Sequence, residues 1–275
     1  MARRVTIVTI ESDEDLGTRV VQVARMRARR ELEPETHVVL LVHGIRTEAA
    51  WQEVVAGVLE EDTSIEAIPL RYGYFDAFRF WFPFTRWHPI RRLLREIRDT
   101  ARLYPASRLS IMAHSFGTYA IGKIFNDNTD TYADRLILCG GILQRDFRWD
   151  RIGARLKEKV INECGTRDVW PALAHATTWG YAATGTFGFG TVRVKDRFHD
   201  FKHSDYFDAA FVRRFWYPWI RHGTFVKGGT PRPVSPLWLR VLARLPLRYP
   251  IAGLLLWGLL RGAGGLLLLF HLVID

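Results

Sequence analysis

Residues 109–119 read Leu-Ser-Ile-Met-Ala-His-Ser-Phe-Gly-Thr-Tyr. An apolar run of strand length occupies Leu109 to Ala113, and a helix-forming run extends from Gly117 to Phe125. Ser115 stands between them, with the small residues Ala113 and Gly117 two positions to either side. A chain that passes from strand to helix in so few residues must reverse sharply. Bulky side chains flanking the reversal would collide with their neighbours. The turn lifts the Ser115 hydroxyl above the end of the strand, at the positive end of the following helix. The alternative is an ordinary turn serine.

The rest of the chain repeats the strand-then-helix rhythm. His37 to His43, HVVLLVH, is a continuous apolar run, as expected of a parallel strand buried on both faces. Glu48 to Leu59 has helical periodicity, with Trp51, Val54, Val55 and Val58 on one side. Ser64 to Leu70 reads as a strand and Pro89 to Leu103 as a basic amphipathic helix. Arg135 to Leu143 and Lys159 to Cys164 supply further strands, and Val5 to Ile10 a short one upstream. Thr18 to Arg30 fits a strand or a basic helix. The alternation predicts an α/β fold with a mostly parallel central sheet flanked by helices and a C-terminal hydrophobic helical tail. With 275 residues the chain accommodates one large domain over 1–235 and an appendage over 236–275.

Val42 to Thr47, VHGIRT, follows the first long strand, and Ile111 to Tyr119, IMAHSFGTY, contains the serine turn. On these two motifs, and on the strand spacing between about residues 37 and 220, the chain resembles the α/β-hydrolase superfamily. Its Ala113-His114-Ser115-Phe116-Gly117 departs from the G-x-S-x-G nucleophile elbow only in the first glycine. The resemblance implies a Ser, Asp or Glu, His triad in that chain order, and a reaction class rather than a particular compound. It implies two oxyanion donors, the Phe116 N–H and an N–H of the loop after the first strand. There Gly44 permits close approach, so Ile45 is the candidate. His43-Gly44 also reads as a plain strand-to-helix turn.

The base must lie downstream of Ser115. His175, His199, His203, His222 and His271 are available. His203 precedes Ser204-Asp205-Tyr206-Phe207-Asp208, which reads as a helix start capped by Ser204, with both carboxylates complementing the dipole. A histidine on the loop before the last core helix is where the family places its base, so His203 is preferred over His199. His199 and His203 have the i, i+4 spacing of a metal pair, but no third ligand accompanies them. For the acid, Asp168 ends the turn after the Val160 to Cys164 strand, and Asp146 is the alternative. No metal or organic cofactor is implied. The expected reaction is serine hydrolysis of an ester or thioester carrying an apolar acyl group, lipids included. The alternatives are acyl transfer by the same triad and a hydrolase-like binding or signalling module without turnover.

Composition refines the setting. The chain carries 39 basic against 29 acidic residues, a net +10, with arginines scattered and no compact nucleic-acid-binding motif. Anionic lipid is therefore the expected partner, not nucleic acid. Nine aromatic residues crowd an insertion at 71–88, from Tyr72 to Trp87, interleaved with Arg79 and Arg86. It reads as an interfacial element with guanidinium groups near headgroups, or as a loop covering the core. Residues 179–190, WGYAATGTFGFG, read as a lid, an access loop or a surface loop. Cys139 and Cys164 are expected as buried thiols.

Residues 251–274 include fourteen Leu, Ile, Val or Phe, enough to cross a bilayer, opposed by Arg261 and five glycines. Arg240, Arg244 and Arg248 precede this candidate span and only Asp275 follows it, so the body is expected to stay cytoplasmic on a single-pass C-terminal anchor. No N-terminal signal peptide is visible. A hairpin in one leaflet and a buried helix are the rivals. Gly258 and Gly262 have G-x-x-x-G spacing, which makes self-association a further candidate.

Overall fold

β1 (His37–Val42) pairs in parallel with β2 (Ile65–Leu70) on one side and β3 (Arg108–His114) on the other. The computed structural model describes residues 36–44, 50–70, 80–228, 233–258 and 260–261. The expected segments at Val5–Ile10 and 18–30 lie outside them. β4 (Leu136–Cys139), β5 (Val160–Gly165) and β6 (Val194–His199) extend the sheet to six strands in the order β2-β1-β3-β4-β5-β6, every pair parallel.

All six residues of β1 are buried because both faces of the sheet are covered. Val38, Leu40 and Val42 enter one core with Ile111, Ala113 and Leu138. Over that face lie α2 (Trp87–Leu103), through Leu93 and Ile97, and α3 (Phe116–Asp127), through Ala120, Ile121 and Ile124. Val39 and Leu41 point the other way, with Met112, Ile137 and Ile161. There α1 (Ala50–Leu59) contributes Trp51, Val55, Val58 and Leu59, while Val54 turns to solvent. The same face is closed by α7 (Ala209–Phe211), a π-helical stretch Val212–Trp216 and α8 (Tyr217–His222). Each fully buried Leu or Ile contributes about 1.5–3 kcal/mol, so the sheet's middle strands dominate the stability.

β6 has no apolar run and is not apparent as a strand from its sequence, VKDRFH. Partnered polar groups take the place of hydrophobic burial. Glu163 of β5 faces Arg197 of β6 in register. The Arg197 guanidinium and the Glu163 carboxylate are paired and buried, with Arg197 Nε donating at 2.9 Å. His199 Nε2 lies 2.8 Å from the same carboxylate, and Trp216 Nε1 donates to it at 2.9 Å. Arg197 also donates to the carbonyl of Val226.

Three expectations change with packing. The strand expected over Arg135–Leu143 stops at Cys139, where Gly140 takes φ +54°, and the next helix is the single turn α4 (Trp149–Ile152). Residues 179–190 are not a surface loop or lid: they hold α6 (Thr184–Phe187), and Gly185 N–H donates to Gly141 at 2.6 Å in a backbone crossing that admits no side chain. Arg86 is not at a headgroup surface. It is buried, donating to the carbonyls of Phe80, Trp81 and Trp179 and to Thr178 Oγ1, with its guanidinium 3.8 Å from the Tyr181 ring centroid. The guanidinium thereby staples the described end of the aromatic insertion to the 178–181 segment. Residues 71–79 lie outside the described residues.

α9 (Leu237–Leu242) docks on the body through fully buried Leu239, against Ala172 and Ala183. Residues 248–258 continue as helix, with Leu254, Leu255, Leu256 and Trp257 exposed. Among the described residues no helix is long and apolar enough to cross a membrane. The larger part of 251–274, Gly262 included, lies outside them. Both cysteines are buried free thiols.

Arg197→Ala would leave the Glu163 carboxylate buried without its cation, and should cost about 3–5 kcal/mol in urea unfolding. Burial pushes the Glu163 pKa up, but Arg197 and then His199 bring it below the ordinary 4.5. The stabilisation is therefore complete above about pH 4.5 and is lost as the pH falls through the lower folded-state value. The Arg197→Ala penalty should shrink over that same acid range.

Candidate active site

The carboxyl ends of β1, β3, β4, β5 and β6 all open on one side of the sheet, next to the point between β1 and β3 where strand order reverses. Ser115 occupies the reversal from β3 to α3 with φ +53° and ψ −122°. Among the described residues it is the one non-glycine at positive φ, a conformation costing about 1–3 kcal/mol. Its backbone is fastened on both sides. Ser115 N–H donates to Cys139 at 3.0 Å, and its carbonyl accepts from Thr118 N–H and, at 2.7 Å, from Thr118 Oγ1.

The small neighbours have measurable reasons. A Cβ on Gly117 would lie 2.7 Å from the His43 carbonyl and 2.8 Å from that of Val42. A Cβ on Gly44 would lie 2.7 Å from Ser115 Cβ and 3.2 Å from Oγ, so the loop after β1 rests against the serine side chain. Phe116, fully buried, opens α3 and packs its ring on Phe80 and Tyr119. Ile45 lies outside the described residues.

Asp168 follows β5 and caps α5 (Val169–Thr177), its Oδ1 accepting from Trp170 N–H at 3.1 Å. It is fully buried rather than a solvated turn carboxylate. Its other oxygen lies 2.8 Å from Nδ1 of His203. The pair sits against Gly140, whose missing Cβ would be 3.0 Å from the His203 ring and 3.2 Å from Asp168 Oδ2. Gly140 immediately follows Cys139, which holds the Ser115 amide. The turn after β4 therefore joins serine and His–Asp pair. Asp146 lies exposed in the turn beyond β4. His199 is engaged with Glu163 on the sheet, four residues before His203.

His203 is not followed by a Ser204-capped helix. Residues 203–206 form a turn that carries Tyr206 into the core before the helix begins. Asp208 is the cap, accepting from Phe211 N–H at 3.0 Å. Asp205 instead accepts from the Lys202 amide.

His114 has a place that the motif alone did not assign. It is buried, its Nε2–H donates to the His203 carbonyl at 3.0 Å, and the two rings lie 4.4 Å apart. Trp51 and Phe207 enclose it edge-on. The residue before the serine thus holds the backbone of His203. The only signal in the sequence is its adjacency to Ser115.

No protein-family model matches the chain, and no curated protein does. Among solved structures it is similar to an uncharacterized protein from Bacillus cereus ATCC 10987, at 14% identity over 76% of this chain and 69% of that one, TM-score 0.45. It is similar to Aspergillus fumigatus lipase B at 13% identity over 77% and 57% of the two chains, TM-score 0.44. A cold-adapted esterase from an Arctic intertidal metagenomic library gives 17% identity over 66% and 82%, TM-score 0.43. These are likenesses of shape at low identity.

Two buried histidines give the fold a pH signature. Burial, and next the neighbouring His203, hold the His114 pKa well below 6.5. Burial, then Arg108 and Arg135, bring that of His37 down to about 3. Below about pH 6.5 the unfolded chain takes up protons that these folded rings refuse. Stability should then fall by up to about 1.4 kcal/mol per pH unit for each ring. Urea unfolding from pH 8 to 5 reads the slope, and His37→Gln should remove one ring's share. A flat profile in the parent chain would count against neutral rings.

Proposed function

We propose that this chain is a serine hydrolase that cleaves an ester or thioester of an apolar acyl group through Ser115, His203 and Asp168. The observation that carries the reading is the strained serine at the strand-to-helix turn, joined through the β4 turn to a pair made by buried Asp168 and half-buried His203. A backbone strain of this kind on a side chain that can attack a carbonyl is consistent with pre-organisation rather than packing.

In the proposed reaction, Ser115 Oγ attacks the acyl carbonyl carbon while its proton passes to Nε2 of His203. Asp168, bonded to Nδ1, holds the ring's tautomer and stabilises the imidazolium that forms. The Phe116 and Ile45 N–H groups stabilise the oxyanion, with Gly44 keeping the β1 loop close. Collapse breaks the bond to the alcohol or thiol, which leaves with the proton from His203. Water then attacks the acyl-enzyme carbonyl, giving its proton to His203, and the acid departs as Ser115 recovers that proton. No step needs a cofactor.

We further infer that the 236–275 segment ties the body to a membrane, with the hydrolase domain on the cytoplasmic face. Exposed Leu254, Leu255, Leu256, Trp257 and Leu260 support this, as do the arginines preceding them. Acyl transfer would use the same groups with a different acceptor.

Ser115→Ala should abolish both hydrolysis of short p-nitrophenyl esters and labelling by a fluorophosphonate, with the fold retained by circular dichroism. Persistent labelling would overturn the assignment. Asp168→Asn, which alters the imidazole tautomer, should lower kcat by about 10³–10⁴-fold. Gly44→Ala, by displacing the serine side chain, should slow labelling by about 10²-fold.

A further inference from the structure

A concavity lies where α9 docks on the body, and Ser115, Asp168 and His203 are not among its lining residues. It has a volume of about 390 Å³, and its charged lining is Arg145, Arg240 and Arg244, with His175 beside them. Among the described residues no acidic side chain lines it. Arg145 stands beyond β4 and donates Nε–H to the Phe189 carbonyl. His175 is on α5, with its Nδ1–H directed to the Tyr181 carbonyl at 2.8 Å. Arg240 is in α9, and Arg244 follows in the turn that closes it.

Some arginines elsewhere on this protein are matched by carboxylates, as Arg98 is by Asp130, Arg148 by Asp150, Arg213 by Glu61 and Arg221 by Asp62, whereas exposed Arg91, Arg95, Arg151 and Arg193, which line no such cavity, have no carboxylate within ion-pair distance among the described residues. Among the described residues no carboxylate lies within ion-pair distance of Arg145, Arg240 or Arg244 either. The docking of Leu239 against Ala172 and Ala183 brings the α9 arginines toward the body although like charges converge there. A bound anion would relieve that repulsion. Guanidinium forks arriving from two elements match the oxygens of a phosphate group geometrically as well as electrically.

We propose that this cavity is a binding site for a phosphate-bearing anion, either a free phosphate or the headgroup of an anionic phospholipid. The exposed leucines of 254–256 and Trp257 continue from the same segment, so a lipid held by its phosphate would have apolar surface within the same stretch of chain. The site does not depend on the Ser115 chemistry.

The test uses the full chain carrying Ser115→Ala, so that hydrolysis cannot change the ligand and a failure of the catalytic reading leaves the result intact. Calorimetric titration with inorganic phosphate reads the free-anion arm. Flotation with phosphatidylglycerol vesicles against phosphatidylcholine vesicles reads the headgroup arm. Arg240→Ala with Arg244→Ala should weaken phosphate binding, phosphatidylglycerol-dependent flotation, or both by about tenfold or more. Arg95→Ala with Arg102→Ala, which removes the same charge from α2, should leave both within about twofold. Loss of phosphate binding alone identifies a soluble phosphate compound as the ligand, and loss of flotation alone identifies the lipid. Equal loss in both double variants reduces the effect to net charge and overturns the site. So does unchanged binding in the α9 variant, or binding in neither arm.

Discussion

A serine at φ +53° is held against its own backbone preference, and its surroundings are arranged to keep it there. The β3-to-α3 reversal needs Gly117 because the carbonyls of Val42 and His43 fill the space that a side chain would take. It needs the loop after β1 to be bare at Gly44, because Ser115 fills that space. Cys139 and Thr118 then bind the serine's amide and carbonyl. Strain of about 1–3 kcal/mol is sustained because the buried middle strands make any rearrangement of β3 more costly still.

The parallel sheet converts that one turn into a site. Since every strand runs the same way, the loops carrying Gly44, Ser115, Gly140, Asp168 and His203 leave the same edge. Residues nearly ninety positions apart meet in this way, as when His114 donates to the carbonyl of His203. The Glu163–Arg197–His199 cluster secures β6, and hence the loop that presents His203. Removing that buried anchor would loosen the site from behind, without touching the serine.

Legibility in the sequence followed the strength of local signals. β1 and β3 were evident as uninterrupted apolar runs, because strands covered on both faces need them. β6 was not: its polar residues are buried only because partners on β5 and Trp216 satisfy them, and pairing over such separations leaves no periodic trace. Trp51, Val55 and Val58 follow the predicted face of α1, whereas Val54 lies beyond the edge of the buried stripe. The glycine-rich 179–190 segment resembled a mobile loop, since glycine permits turns and close crossings alike. Only the contact between Gly185 and Gly141 shows which was required.

What the amino-acid order determined by itself was the alternation of strands and helices and the serine turn with its small flanking residues. Asp168 and His203 could be nominated as candidates because they lie beyond strands in suitable chain order. Tertiary structure decided their pairing, the burial of Asp168, and the engagement of His199 with Glu163 instead. It also drew Arg86 inward to a cage of carbonyls and brought the α9 arginines beside Arg145. The physical reason is common to all of these: hydrogen bonds and charge pairs act over a few ångströms of space. Sequence patterns report which faces seek burial, and only packing determines which polar groups then meet.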